Sequence, residues 1–327
     1  MRVRSLRNLT GAILRRTLPS AWYRILRRPT LVPREYRCFI QDLERIRDRL
    51  LAGDGLDDEY WAAVLRKHAH ILDKGLQRQD CEPGHSVAHY TDALEALKHI
   101  QSAEMRDDPS VKWAVQRLEQ YDALQQGRFS RPSMEPPAGD AKSYELLLQI
   151  IKQRRSVRSF QDRPVDRQTL QQVVESANWA PQSCNRQTVR VFAATDSDLV
   201  QACARTCRGA TCFSGRACFL CFAADLRPYH LPEEMWLPMV DASLCAENCC
   251  LIAHTLGLSL TMLTWCQSDQ EDEVQVRHLL GVPWYYRIVV NGLMGYPKGL
   301  GETPARKALG HLLSVRLPPQ VMNGCDA

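Results

Sequence analysis

Arg154-Arg155-Ser156-Val157-Arg158-Ser159-Phe160 places three guanidiniums and two hydroxyls within six residues. Arginine makes bidentate, charge-assisted hydrogen bonds, so such a run suits a phosphate group. A solvated surface run is the plainer alternative. A second stretch, Trp179-Ala180-Pro181-Gln182-Ser183-Cys184-Asn185-Arg186-Gln187, lies between a helical pattern and a strand-like one. Small and amide-bearing side chains on such a turn can hydrogen-bond the edge of a flat heteroaromatic ligand. A turn whose Ser and Asn bond only the local backbone is the other reading. The third is Gly292-Leu293-Met294-Gly295-Tyr296-Pro297 followed by Pro304-Ala305-Arg306-Lys307-Ala308-Leu309, a strand closing in Gly and Pro that delivers a further basic pair.

The elements that must position these residues fall into two groups. Residues 35–128 read as a helical unit: Trp61, Val64, Leu65, His68, Ile71 and Leu72 recur at helical spacing, with Gly75 standing as a C-terminal cap. Val87, Tyr90, Leu94, Leu97 and Ile100 repeat the pattern, and Asp108-Pro109 opens a helix that runs to Gly127. His68, His70, His85 and His89 carry ligand chemistry, but neither carboxylate partners nor tautomers are visible in the sequence. The unit reads as scaffold and no metal site is assigned. A Pro/Gly-rich break makes 129–143 a linker. Beyond it, over 144–315, helices (Tyr144 to Gln153, and one capped by Asp166) alternate with strands at 189–194, 217–224, 258–264 and 286–294, and Pro238 to Leu256 forms a long apolar helix. That pattern makes the second domain α+β or α/β, with a tail at 316–327.

The chain has 327 residues, 45% hydrophobic and 24% charged, which excludes disorder and suggests about two domains. No apolar run approaches the roughly 20 residues of a spanning helix. Net charge is +5, yet residues 1–34 hold nine Arg and no acid, so the remainder carries −4. A basic groove for nucleic acid is a poor expectation for that body. The basic end interleaves Arg with Leu, Ile, Trp22 and Tyr23, which suits peripheral contact with an anionic membrane, or a tail packed on its own domain. Ten of thirteen Cys lie between Cys184 and Cys266, mostly in apolar runs, so reduced thiols in a cytoplasmic protein are expected. Cys218-x-x-Cys221 sits on an apolar strand and reads as core. Neither G-x-G-x-x-G nor a Walker A pattern is present in the glycine-rich stretch 292–301.

Taken in order, these stretches resemble the nitroreductase family of FMN-dependent oxidoreductases. Residues 154–160 are similar to its Arg-Arg-Ser-x-Arg-x-Phe signature, and 180–187 to its Ala-Pro-Ser-x-x-Asn-x-Gln turn. Ala253-His254-Thr255-Leu256-Gly257-Leu258 is similar to its Ala-His-x-Leu-Gly-Leu, and Gly295-Tyr296-Pro297 with Arg306-Lys307-Ala308-Leu309 to its close. The likeness covers about residues 145–312. Asp73-Lys74-Gly75-Leu76 resembles an element in the N-terminal extension of members linked to exopolysaccharide clusters.

The resemblance implies an α+β, nitroreductase-like α/β sandwich after an all-α domain, a homodimer, and FMN at its interface. Arg154, Arg155, Ser156 and Arg158 would hold the ribityl-phosphate end together with Arg306. Ser183, Asn185 and Gln187 would address the ring or ribityl hydroxyls, and Leu263 and Thr264 would approach the ring by backbone. It further implies hydride transfer from NAD(P)H to flavin N5 and on to an unidentified small-molecule acceptor such as a nitro compound or quinone. No acid–base residue is assigned. The chain departs from the pattern at Gln182 and at Gln187-Thr188-Val189, where the family has Gln-Pro-Trp. Those departures leave open an alternative: a weakly active or inactive flavin-fold interaction protein of a polysaccharide-assembly system.

Overall fold

A computed structural model describes residues 46–316, apart from 79, 132–134, 208–209, 211 and 264–269. The basic segment 1–34, Thr264 and nearly all of the tail 316–327 therefore lie outside the described residues. The helical unit comprises α1 (Asp58–Leu76), α2 (Val87–His99), the short α3 (Ala103–Asp107) and α4 (Pro109–Gln125). Asp57 caps α1 by accepting from the Tyr60 N–H at 2.9 Å. Asp108 caps α4 by accepting from Ser110 N–H at 2.8 Å, as the Asp-Pro pair predicts.

The core of this unit is built from Ala62, Leu65, Ala69 and Leu72 of α1, Ala93 and Ala96 of α2, and Val111, Ala114, Leu118 and Tyr121 of α4. Trp61 and Val64 sit only at its margin and Val87 is exposed, a correction to the expected stripe. Alanine lets helix axes approach closely, and a pattern keyed to large apolar residues does not register it. Gly75 is also not a cap, because α1 continues to Leu76. A Cβ there would stand 2.0 Å from His85 Nε2, so the glycine makes room for that imidazole.

The second unit contains α5 (Ala141–Gln153), α6 (Arg167–Glu175), β1 (Val189–Ala194), α7 (Ser197–Ala204), β2 (Cys218–Asp225), α8 (Leu237–Thr255), β3 (Ser259–Leu263), α9 (Gln270–Leu280) and β4 (Tyr286–Gly295). Its four strands form one sheet in the order β1-β2-β4-β3, antiparallel at every pairing. Side chains alternate across a strand. Phe219, Cys221 and Ala223 therefore meet Val200 and Cys203 of α7 and Val276 of α9. Cys218, Leu220 and Phe222 meet Val173 of α6 and Cys245, Ala246, Cys249 and Ala253 of α8 on the other face. Helices cover both faces, giving an α+β sandwich with β2 buried along its whole length. Each large side chain so buried contributes about 1.5–3 kcal/mol. Cys218 and Cys221 face different cores, and burial pushes the Cys218 thiol up to about 11 and that of Cys221 further up.

The small-residue face of α8 is thus buried inside its own chain. On the opposite side Val240 and Leu244 remain exposed, as does Trp236 just before the helix. The apolar face of α5, with Tyr144, Leu147 and Ile151 at i, i+3 and i+7, is exposed as well.

Arg227, just past β2 and fully buried, ties the two units together. It donates to Asp225 Oδ2 at 2.6 Å, to Asp57 Oδ2 at 2.8 Å and to the Gly55 carbonyl, and lies 3.5 Å from the centre of the Tyr285 ring. Burial opposes its charge, but hydrogen bonds and attraction from Asp225 and Asp57 outweigh that and hold the guanidinium above its ordinary pKa.

Candidate functional site

Residues 154–160 leave the end of α5 and run beside β3. Ser259 Oγ donates to the Arg155 carbonyl at 2.7 Å, and Thr261 Oγ1 to the Val157 carbonyl at 2.6 Å. Val157 and Phe160 point into the core, which leaves Ser156 and Arg158 exposed and Arg154 and Arg155 half-buried. The far end is clamped by Phe160 N–H donating to Ser214 O at 2.8 Å and Ser214 N–H donating to Arg158 O at 2.9 Å. This clamp needs Gly215, with φ +82: a Cβ there would lie 1.9 Å from the Phe160 carbonyl oxygen.

The same segment gathers the end of the chain. Gln161 N–H donates to Tyr296 O at 2.8 Å and Lys298 N–H to Ser159 O at 3.0 Å. The Arg155 guanidinium then donates to the Thr303 hydroxyl, which brings 303–306 to the arginine run. Arg306 is exposed, its Nη1 resting on the Pro304 and Ala305 carbonyls at 3.3 and 3.2 Å. Among the described residues none of Arg154, Arg155 and Arg306 forms an ion pair with a carboxylate, and Arg155 Nε is buried without a partner. His254, in the last turn of α8, is pushed below its ordinary pKa, first by burial and then by the charges of Arg154 and Arg155. A basic cradle with an orphaned donor is chemically matched to an anion.

The second stretch forms a tight turn. Cys184, Asn185 and Gln187 adopt φ of 51, 52 and 54, left-handed values that cost a non-glycine residue about 1–2 kcal/mol, least for Asn. Ser183 is tied to α8: its N–H donates to Asp241 Oδ2 at 3.0 Å and its hydroxyl to Asp241 Oδ1 at 2.8 Å. Both donors of Ser183 are thus occupied, which leaves its acceptor lone pairs for a ligand. Gln187 Nε2 donates to Asn185 Oδ1 at 3.0 Å, so these two side chains also brace the turn.

Beneath them lies a network that the sequence did not single out. The Tyr229 hydroxyl donates to Asp241 Oδ2 at 3.1 Å and lies 2.9 Å from Thr188 Oγ1; burial, then the Asp241 charge, pushes its pKa up. Arg186 is completely buried, pairs with Glu234, donates to Ser183 O at 3.2 Å, and stacks 4.7 Å from the centre of the Tyr229 ring. Its own carbonyl accepts from Arg66 Nε of α1 at 3.0 Å. The helical unit therefore grips the turn from behind. A carboxylate on the buried face of an apolar helix was the available signal for Asp241. For Arg186 there was none, since a charged turn residue reads as solvated.

The two stretches do not meet within one chain. Ser183 sits on Asp241 and the cradle lies by His254, near opposite ends of α8, thirteen residues or about 20 Å apart along its axis. Leu263 closes β3, buried, in register with Asn291 of β4.

Residues 151–222 match the model of the nitroreductase family. The match spans the arginine run, the 182–187 turn, β1 and the start of β2. A putative NADH dehydrogenase/NAD(P)H nitroreductase of Archaeoglobus fulgidus is 25% identical over 154 residues, 47% of this chain and 87% of that protein. An FMN reductase [NAD(P)H] of Bacillus subtilis is 23% identical over 192 residues, 54% of this chain and 72% of its own. Among solved structures, a putative NADH dehydrogenase/NAD(P)H nitroreductase of Parabacteroides distasonis covers 52% of this chain and 97% of its own at 23% identity, with a TM-score of 0.46. The NADPH:FMN oxidoreductase of Vibrio harveyi, solved with NAD+, covers 54% and 79% at 22% identity and a TM-score of 0.46.

Proposed function

We propose that this chain is an FMN-dependent oxidoreductase that takes reducing equivalents from NAD(P)H and delivers them to a small nitro, quinone or related acceptor. The observation that carries this reading is the meeting of the arginine run with 303–306 through the Arg155–Thr303 contact, where the buried Arg155 Nε has no partner. Similarity to FMN reductases and nitroreductases supports the choice of anion.

Arg154, Arg155, Ser156 and Arg158 would bind the phosphate end with Arg306, the orphaned Arg155 Nε being one donor the structure leaves to be satisfied. Asn185 would present its amide nitrogen to the ring or ribityl edge. Its Oδ1 is already held by Gln187, so the amide is pre-oriented. Ser183 retains acceptor capacity only, and Leu263, at the end of β3, would approach the ring by its backbone. Bound FMN would supply hydride chemistry, and the protein's part is to bind, orient and shield it.

Because cradle and turn lie apart in one chain, a homodimer in which each protomer contributes one of them to a shared site is part of the proposal. The exposed apolar faces of α5 (Tyr144, Leu147, Ile151) and α8 (Val240, Leu244) are the surfaces suited to it. No described helix is long and apolar enough to cross a membrane. The deciding experiment is anaerobic mixing of the FMN-loaded chain with NADH and with NADPH, then with a quinone or nitroaromatic. Bleaching by at least one nucleotide and recovery with the acceptor is expected. A bound flavin that neither nucleotide reduces would refute the enzyme reading.

A further inference from the structure

His68 of α1 and His89 and Asp92 of α2 lie in the helical unit, away from the arginine cradle, and their donor atoms all fall within 4.8 Å of one another. His68 Nδ1 is 3.0 Å from His89 Nδ1 and 3.7 Å from Asp92 Oδ2. His89 and Asp92 are spaced i, i+3 and so share one face of α2, opposite the single histidine of α1. The close approach of the two helices at Ala69 and Ala93, both fully buried, brings those faces together.

Two neutral imidazoles at this distance use one lone pair and one proton, and the third donor stays idle. A cation uses all three. Tetrahedral Zn²⁺ with bonds of about 2.0–2.1 Å sets its donors about 3.3 Å apart, a value that the distances of 3.0 and 3.7 Å bracket. Two imidazoles and one carboxylate favour zinc-like d-block ions over Mg²⁺ or Ca²⁺, which require oxygen-rich shells.

We propose that His68 Nδ1, His89 Nδ1 and an Asp92 carboxylate oxygen bind one divalent d-block cation of the zinc class, water completing its shell, and that this ion clips α1 to α2. The clip stiffens the helix that carries Arg66, two residues before His68, and hence the hold on the Arg186 carbonyl at 3.0 Å. The proposal does not depend on the flavin reading.

The test uses the full, untagged chain, stripped with chelator and titrated with Co²⁺ alone. A visible d–d band saturating at one equivalent, displaced by Zn²⁺, is expected, together with a rise in melting temperature. His89→Ala should remove the band, Asp92→Asn should weaken binding at least tenfold, and His99→Gln, which loses only a stack on Trp61 and a contact with Glu95, should leave the band and its affinity unchanged. Asp92 is exposed and His89 half-buried on α2, and a metal-free melting curve matching that of the metal-free wild type shows that the variants are folded. Absence of a band, or binding that survives His89→Ala with Asp92→Asn, overturns the proposal and leaves a plain imidazole–imidazole hydrogen bond.

Discussion

Arg186→Met is the sharpest perturbation of the turn. The guanidinium is fully buried, and its partner Glu234 has a side chain only 13% exposed. Removing one member of so buried a pair costs about 3–5 kcal/mol, because the other charge is stranded. At about 2.1 cal/mol/K per residue, the 327 residues give an unfolding entropy of about 0.7 kcal/mol/K, so the melting temperature should fall by roughly 4–7 °C. Function should suffer separately. Cys184 and Gln187 hold left-handed φ values worth about 1 kcal/mol each at the lower end, and only the surrounding contacts keep them there. Releasing about 2 kcal/mol of strain shrinks the competent turn population about 30-fold, and FMN affinity should drop by that factor. The acid limb supplies an internal check. Burial raises the Glu234 pKa, but Arg186 outweighs it and holds the carboxyl below its ordinary 4.5. The stability from that pairing is present above 4.5 and is lost as pH falls through the lower folded value. The gap between wild type and variant should therefore narrow in acid. Melting curves across pH and a fluorescence titration with FMN measure both effects. A variant within about 2 °C of wild type near neutral pH, with unchanged FMN affinity, would refute the role given to Arg186.

Gly215→Ala should destabilise the fold by at least about 2 kcal/mol, since it adds a left-handed penalty to a Cβ lying 1.9 Å from the Phe160 carbonyl, and should weaken FMN binding; denaturant unfolding decides. His254 should titrate higher once phosphate or FMN screens Arg154 and Arg155, while remaining below 6.5 because burial persists, an effect visible in the pH dependence of its NMR resonances. Leu147→Glu on the exposed face of α5 should convert a dimer to monomers and abolish flavin binding together, as read by light scattering and absorbance; flavin retained by a monomer would contradict the shared site.

Much of this was legible before any coordinates. Alternation and run length gave β1 to its observed limits and the other strands to within a residue or two, and Asp-based caps located the starts of α4 and α6. The arginine run and the basic pair near the chain end were visible as charge. Their meeting was not visible as charge and entered only as what the family resemblance implies, because it depends on the Ser259, Thr261 and Thr303 hydroxyls, which carry no sequence signal. The alanine-built α1–α2 contact and the inward Arg186 escaped for a related reason: hydrophobic periodicity counts large apolar side chains and places charges outside. His68, His89 and Asp92 were present as residue types, but only helix packing sets their mutual distance.

The most direct test compares FMN with riboflavin, which lacks the phosphate, on the purified chain and on Arg154→Ala/Arg306→Ala. Each charge-assisted hydrogen bond lost costs about 1.5–3 kcal/mol, so wild type should prefer FMN over riboflavin by at least a hundredfold and the double variant should lose most of that preference. Equal affinity of the wild type for the two flavins, or an FMN affinity that the double variant leaves untouched, would contradict a phosphate cradle at 154–158 and 306.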